Sequence, residues 1–434
     1  MKAILLDGSQ ASDNFGMRVS SALTAQLGIF GWDVEHIALR DAKIGNCSGD
    51  FFCWIKSPGM CNLNDDNRRL AAAISASDLM VYLTPVTFGG YSSVLKRMVD
   101  HQIQNISPFF VQIDGETHHE KRYEKYPDFL AVGWMENPDM EATAVFRHLV
   151  HRNAINFYAK TYVSDVILTN QSDTQLMESA QKWVSELQNG QSAQPIALPI
   201  ENLTCTGGVV INRALLLVGS PRSHKSNSNS IGGYLFEQLR AQEIETETVY
   251  LYTLLRSEER MQALFNAIEA ADLIVLVFPL YVDSIPAPVI DVLERIVSNR
   301  QGAKTRQQLF ASIANCGFPE AHHNTTALRI CETFARQAGF EWAGSLALGG
   351  GEVIAGKPLV QGGGRTFRLR KSLDLAAASI GKGLSIPIAA QEMIGKPAIP
   401  HWVYRMVGGI GWKKQAKRYG VQESLNKQPY SVKP

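Results

Sequence analysis

The chain has 434 residues, a net charge of +1 and an apolar share of 45%. That length accommodates two or three domains with cores of their own, and the near-neutral charge excludes a polyelectrolyte partner such as nucleic acid. No apolar run approaches the ~18 residues of a membrane span, and the amino terminus enters a strand rather than a signal peptide. A cytoplasmic protein without an integral membrane segment is expected, its six cysteines serving as thiols, ligands or redox groups rather than structural disulfides.

The first half opens with a strand at Lys2–Leu6, the turn DGSQASDNFG (Asp7–Gly16), a helix carrying Val19, Leu23 and Leu27, and a second strand within Trp32–Leu39. This βαβ order implies a parallel sheet with right-handed crossovers. Ser9, Ser12 and Asn14 offer hydroxyls, an amide and backbone N–H groups at a helix start, where phosphate binds. Asp13 places a carboxylate among them, and a simple capping turn is the other reading.

Next comes KIGNCSGDFFCWIKSPGMCNLNDD (Lys43–Asp66), with Cys47, Cys53 and Cys61. Three thiols in a loop are metal or cluster ligands, a redox pair, or small buried apolar groups. A cluster usually requires four thiolates, and a structural zinc requires a fourth ligand that no nearby histidine supplies. The stretch DLMVYLTPVTFGGYSS (Asp78–Ser93) then reads as a buried strand, a loop and a helix start with Ser92 or Ser93 as N-cap. Open α/β sheets bind ligands at the carboxyl ends of their strands, which makes Pro85, Val86, Thr87, Phe88, Gly89 and Gly90 a candidate ligand loop.

An insertion at Ser107–Asp128 contains His118, His119, Arg122 and Tyr123. It is either a lid that brings cationic groups to a pyridine nucleotide or acidic substrate, or a solvated surface loop. Adjacent histidines on a strand point to opposite faces, so the pair is not a metal motif. Strand Phe129–Val132, helix Glu141–Ile155, strand Tyr158–Leu168 and helix Thr174–Leu187 close the half, and Asn189–Asn212 reads as a linker containing an incidental Cys205.

The second half repeats the first. Arg213–Ser220 matches Lys2–Ser9, Ile268–Pro279 matches Ile74–Pro85, and Phe310–Glu320 matches Phe129–Asp139, in the same order. Three ordered anchors indicate an internal duplication. The first copy is longer between its first two anchors, about where the three cysteines sit. The turn GSPRSHKSNSNS (Gly219–Ser230) is hydroxyl-rich, carries Arg222 and Lys225, contains no acid and leads into a helix. Ser220, Arg222, Ser226, Asn227 and Ser228 are therefore the better phosphate loop. Strands Thr246–Leu251, Leu273–Phe278, Leu309–Ala314 and Glu341–Leu348 and helix Thr366–Lys382 follow. The tail Ile399–Pro434 mixes Trp402, Tyr404, Trp412 and Tyr419 with lysines and arginines, and is expected to pack on its own chain or on a partner subunit.

The GS-type turns, the cysteine loop and TPVTFGGYSS before a helix together resemble the flavodoxin-like, NAD(P)H-dependent FMN reductases. The closest likeness is to their cysteine-bearing branch, which includes the iron–sulfur flavoproteins. That branch reads C-x-x-C-x-x-C; here Cys47 and Cys53 match the outer two and Asp50 stands at the middle position, which argues against an iron–sulfur cluster. The resemblance implies two tandem flavodoxin-like α/β domains, doubly wound, each with a parallel five-stranded sheet in the order 2-1-3-4-5. The expected divisions are residues 1–188, a linker at 189–212, residues 213–395 and a tail at 396–434. It further implies FMN as cofactor, NADPH or NADH as electron donor and a small acceptor such as a quinone or free flavin, with no side chain needed as acid or base. FMN would contact the phosphate loop of the second half, Ser9 in the first, and the loops Pro85–Gly90 and Pro279–Asp283, the latter comprising Pro279, Leu280, Tyr281, Val282 and Asp283. Tyr281 would cover a ring face, and Gly317 would lie in the third flavin loop. The family is often dimeric, so a homodimer or a pseudo-dimer within one chain is expected. A non-catalytic electron carrier, or a redox sensor built on the cysteines with one degenerate half, is the alternative.

Overall fold

The computed structural model describes residues 1–205, 207–302, 306–397 and 401–431. Thr206 of the expected linker, Ile399 and Pro400 at the start of the expected tail, and the last three residues lie outside it. The chain forms two compact units, the first made of Met1–Leu198 with Trp402–Pro434, the second of Pro199–His401. No helix of the described residues is long and apolar enough to cross a membrane.

In the first unit, β1 (Lys2–Asp7), β2 (Asp33–Ala38), β3 (Leu79–Pro85), β6 (Asp128–Met135) and β7 (Tyr162–Leu168) form one parallel sheet in the order β2-β1-β3-β6-β7. Between β3 and β6 the chain makes an antiparallel hairpin of β4 (Ile106–Ile113) and β5 (Glu116–Lys121). The register places Leu5 between His36 and Val81. Ile4–Leu6 and Leu79–Leu83 are at most 1% exposed, as expected for central strands of a parallel sheet covered on both faces.

The second unit repeats the plan with β8 (Arg213–Val218), β9 (Glu245–Tyr250), β10 (Leu273–Pro279), β11 (Leu309–Asn315) and β12 (Glu341–Leu348), in the order β9-β8-β10-β11-β12. Counting only the strands of each main sheet, both are 2-1-3-4-5. Loop ends at the carboxyl edge of β1, β3 and β6, and of β8, β10 and β11, converge at the place where the strand order reverses, which is where such sheets take ligands.

The units divide the chain differently from the sequence expectation. Much of the linker is an ordered arm of the second unit: Cys205 N–H donates to the Trp342 carbonyl at 3.2 Å, and Glu201 accepts from Trp342 Nε1 at 3.0 Å and Ser345 Oγ at 2.9 Å. The tail is no appendage, because its helix His401–Lys417 and the turns after it pack on the first unit.

The insertion at Ser107–Asp128 is neither a lid nor a solvated patch. His118, Arg122 and Tyr123 are 1%, 3% and 6% exposed. Arg122 donates to the carbonyls of Ile106, Leu425 and Lys427 at 3.1, 2.9 and 2.7 Å. The His119 ring lies between Trp54 and Phe110, at 4.6 and 5.0 Å. Charged groups that looked solvated in sequence are the seat on which the tail docks.

Candidate functional site

The loops after β3 and β10 are structural twins. Thr87 and Gly90 exchange two backbone hydrogen bonds, at 3.0 and 2.7 Å, and so do Tyr281 and Ser284, at 3.0 and 3.1 Å. The residues between them have positive φ: Phe88 at 55° and Gly89 at 84°, Val282 at 44° and Asp283 at 57°. Both are tight turns of the primed kind. Each loop is tied to the next strand in the same way, Val86 N–H to the Trp134 carbonyl and Leu280 N–H to the Asn315 carbonyl, both at 2.9 Å. A β-branched valine at positive φ is strained, and such strain collects where a loop must keep a shape for a ligand.

The twins differ in what they present. Pro279, Leu280, Tyr281 and Val282 are partly exposed, as are Pro85, Val86 and Thr87, while Phe88, Gly89 and Gly90 are buried. The Phe88 ring is 4% exposed, and Tyr91 is fully buried with its hydroxyl on Asn153 at 3.1 Å. The aromatic pair of TPVTFGGYSS therefore fills the core, and Phe88 of the candidate ligand loop turns its ring inward. Asp283 is buried at 4%.

The two anion loops differ more. In the first unit the buried Asp7 carboxylate takes the Ser9 N–H at 2.9 Å, and Arg40 reaches both Asp7 at 3.3 Å and Ser9 Oγ at 3.1 Å. Burial by itself would raise the Asp7 carboxyl, but hydrogen bonds from His36 and Ser9 and the Arg40 charge outweigh it and hold the group below its ordinary value. Asp13 caps the helix Asn14–Ile29 by accepting from Gly16 N–H at 2.9 Å, and its second oxygen accepts from Trp134 Nε1 at 2.9 Å. The site is also full: a Cβ on Gly16 would come within 2.8 Å of the Trp134 ring and 2.9 Å of Ser9 Cβ. Two carboxylates and an indole crowd this turn, and Ser9 is already engaged, its N–H by Asp7 and its Oγ by Arg40.

In the second unit Ser220 is buried behind Gly219, and Ser226 caps the helix Asn227–Arg240 through Asn229 N–H at 3.0 Å. The first two helical amides, of Asn227 and Ser228, have no partner within a helix; the turn before them carries Arg222 and no acid, while the Arg222 charge acts on the Glu352 carboxyl, which burial raises. The side chains of Asn227 and Ser228 do other work. Asn227 bridges Gly351 O and Gly356 N at 2.8 Å each, and Ser228 Oγ accepts from Asn315 Nδ2 at 3.1 Å. Asn315 also reaches the Phe278 carbonyl at 2.9 Å, tying together the ends of β10, β11 and the anion loop. Sequence reasoning passed over Asn315, whose position as the last residue of β11 was the available signal. It also left Gly349–Gly351 without a role. Gly317 is exposed next to the buried Cys316.

The three cysteines of the first unit line one small cavity of about 30 Å³ together with Asp50, His101 and Gln104. All are free thiols. Burial pushes Cys47 up to about 12, assisted by the nearby Asp100 charge, and raises Cys53 and Cys61 as well. The tail closes over this loop. Trp412 meets Trp54 and Phe51 edge-on at 5.2 and 5.3 Å. Tyr430 hydroxyl and Cys61 N–H both donate to Gln104 Oε1, at 3.2 and 2.9 Å. Pro429 sits so close over Gly59, at φ 83°, that a Cβ there would come within 2.5 Å.

Residues 1–115 match the family described as NADPH-dependent FMN reductase, and residues 212–349 the family described as flavodoxin-like fold. Among curated proteins, an iron–sulfur flavoprotein of Methanocaldococcus jannaschii is 33% identical over 101 residues, 23% of this chain and 51% of that protein. The chain thus spans about half the length of the curated relative it matches. Solved structures that are similar include an NAD(P)H:quinone oxidoreductase from Methanothermobacter marburgensis, 14% identical over 43% of this chain and 97% of that one, with a TM-score of 0.35. An FMN-dependent NADH-azoreductase from Bacillus anthracis is 14% identical over 39% of this chain and 100% of that one, with a TM-score of 0.31. The chain carries two flavodoxin-like domains in tandem, and the first is similar to the NADPH-dependent FMN reductases over residues 1–115.

Proposed function

We propose that this chain is an FMN-dependent NAD(P)H oxidoreductase that passes electrons to a small acceptor, a quinone, flavin or similar molecule, and that its FMN is held by the second unit. The observation that carries the assignment is the contrast between the anion loops: Asp7, Asp13 and Trp134 fill the first, whereas the second has a capped helix start and Arg222.

The residues fit the group. The amides of Asn227 and Ser228, with Ser220 and Arg222, suit the phosphate. The partly exposed run Pro279–Val282 offers backbone and apolar surface to a flat ring, held in shape by the Tyr281–Ser284 bridge, with Gly317 on the neighbouring loop. FMN, when bound, supplies the hydride and electron chemistry. The chain's own groups bind it, orient it and set which face is open, and none is required as acid or base. In the first unit the same framework has lost its anion grip, while its Pro85–Gly90 loop keeps the shape of its twin.

The cysteine-sensor reading is weakened by the raised thiols, since the thiolate is the nucleophile, and the carrier reading by the absence of the net acidity that docking favours. The test is anaerobic addition of NADPH or NADH to FMN-loaded protein. Bleaching of the flavin band, reversed by a quinone, supports the reading; a flavin that neither nucleotide reduces refutes it.

A further inference from the structure

The tail helix His401–Lys417 has two unlike faces. Its inner face is fixed to the first unit: Trp412 and Ala416 are 5% and 0% exposed, and the Tyr404 ring meets Phe110 at 5.3 Å. Gly408 lets the backbone come down onto the same ring, since a Cβ there would lie 2.5 Å from Phe110. A helix seated this closely has no room to roll, so its other face stays turned outward. Trp402, Met406, Val407 and Ile410 are 63%, 54%, 53% and 62% exposed. Single exposed apolar side chains are ordinary, but four on one short helix form a patch.

Charge shares that face. At about 100° per residue, the four apolar residues fall within one arc of about 160°, together with the exposed Lys413, Lys414, Lys417 and, directly after the helix, Arg418. The amino half of the arc is therefore apolar and the carboxyl half cationic, and the sequence has no acid between Glu392 and Glu423 to offset it. A second copy of the helix does not match this layout. Parallel pairing sets cations against cations, and antiparallel pairing buries them unpaired against the apolar half. A bilayer surface with anionic lipid takes both halves at once. Apolar side chains enter at headgroup depth, while lysines on their long stems reach the phosphates. Tryptophan is a residue that such interfaces favour.

We propose that the tail helix is a peripheral anchor that lays this outer face on an anionic membrane surface. Trp402, Met406 and Ile410 sit in the interface, and Lys413, Lys414, Lys417 and Arg418 lie on lipid phosphates. The helix does not span; its 17 residues lie in the interfacial plane. Because the inner face is packed on the first unit, the anchor is part of that unit's fold. A reductase held there meets apolar acceptors where they dissolve, but the anchor stands apart from the electron-transfer reading and requires neither flavin nor nucleotide.

The test floats the full-length chain with extruded vesicles, made either of phosphatidylcholine alone or of phosphatidylcholine and phosphatidylglycerol in equal parts. Flotation with the anionic vesicles is expected, weaker with phosphatidylcholine alone and weaker as salt is added. Lys413→Gln with Lys414→Gln should weaken binding to anionic vesicles by about 30-fold, or about fivefold for each surface cation. Trp402→Ser with Ile410→Ser should weaken it by about tenfold or more. Both double variants change exposed residues, and circular dichroism verifies that they fold. No flotation with anionic vesicles, equal flotation with both compositions, or full binding by either double variant overturns the proposal. So does a dimer in vesicle-free solution that Trp402→Ser with Ile410→Ser dissociates, because the face is then a contact between copies.

Discussion

Trp134 Nε1 donates to the Asp13 carboxylate at 2.9 Å, across 121 positions of sequence, and this bond ties the first unit's anion loop to the carboxyl end of β6. Asp13 also caps its helix. Replacing it with alanine removes the cap and the indole's partner together, and the expected cost is about 1–2 kcal/mol, read as a lower urea midpoint. FMN affinity of the whole chain should stay unchanged, and a loss of flavin in Asp13→Ala would count against the assignment of the second unit.

Val282 holds a φ of 44° that valine rarely tolerates. Val282→Gly relieves that strain, worth on the order of 1–3 kcal/mol, against a glycine entropy cost of roughly 0.5–1 kcal/mol. Thermal stability should hold or rise while FMN binds more weakly, because the ring loses its apolar neighbour and the loop its fixed shape. A clear drop in melting temperature would show that Val282 is a packing residue instead.

Arg122 is the joint between the hairpin and the tail. Arg122→Met keeps much of the apolar stem but leaves buried carbonyls unpaired, at about 1–3 kcal/mol. Limited proteolysis should then release the tail, and Cys53 should react faster with a thiol reagent. Equal proteolysis and equal labelling in the two proteins would mean that the tail does not depend on this contact.

Burial between aromatic rings pushes His119 down to about 3 from an ordinary 6.5. Below that ordinary value the unfolded chain takes up a proton that the folded chain refuses, so the contribution of His119 is complete above about pH 6.5 and declines toward about pH 3. His119→Phe should flatten this part of the stability–pH curve. Parallel curves for parent and variant would show that the ring protonates in the folded state.

Much of this architecture was legible in sequence because the central strands are unbroken apolar runs stopped by Pro85 and Pro279, and because the second half repeats the first. The phosphate contrast was legible too, from Asp13 against Arg222. What escaped were contacts between distant positions. His101 meets Cys61 40 residues away, and Leu425 meets Arg122 303 residues away, and neither pairing leaves a periodic trace. The direction of Phe88 escaped because a two-residue turn sets which side chains face inward, and Val282-Asp283 makes the same turn without the glycine that would announce it.

The account depends most on which unit holds the flavin, and flavin titration with stoichiometry measures that directly. The prediction is one FMN per chain, weakened about 10- to 100-fold by Arg222→Gln, as suits a charge-assisted contact of about 1.5–3 kcal/mol, with riboflavin, which lacks the phosphate, binding both proteins equally. Two FMN per chain, or FMN binding indifferent to Arg222→Gln and abolished by Ser9→Asp, would contradict it.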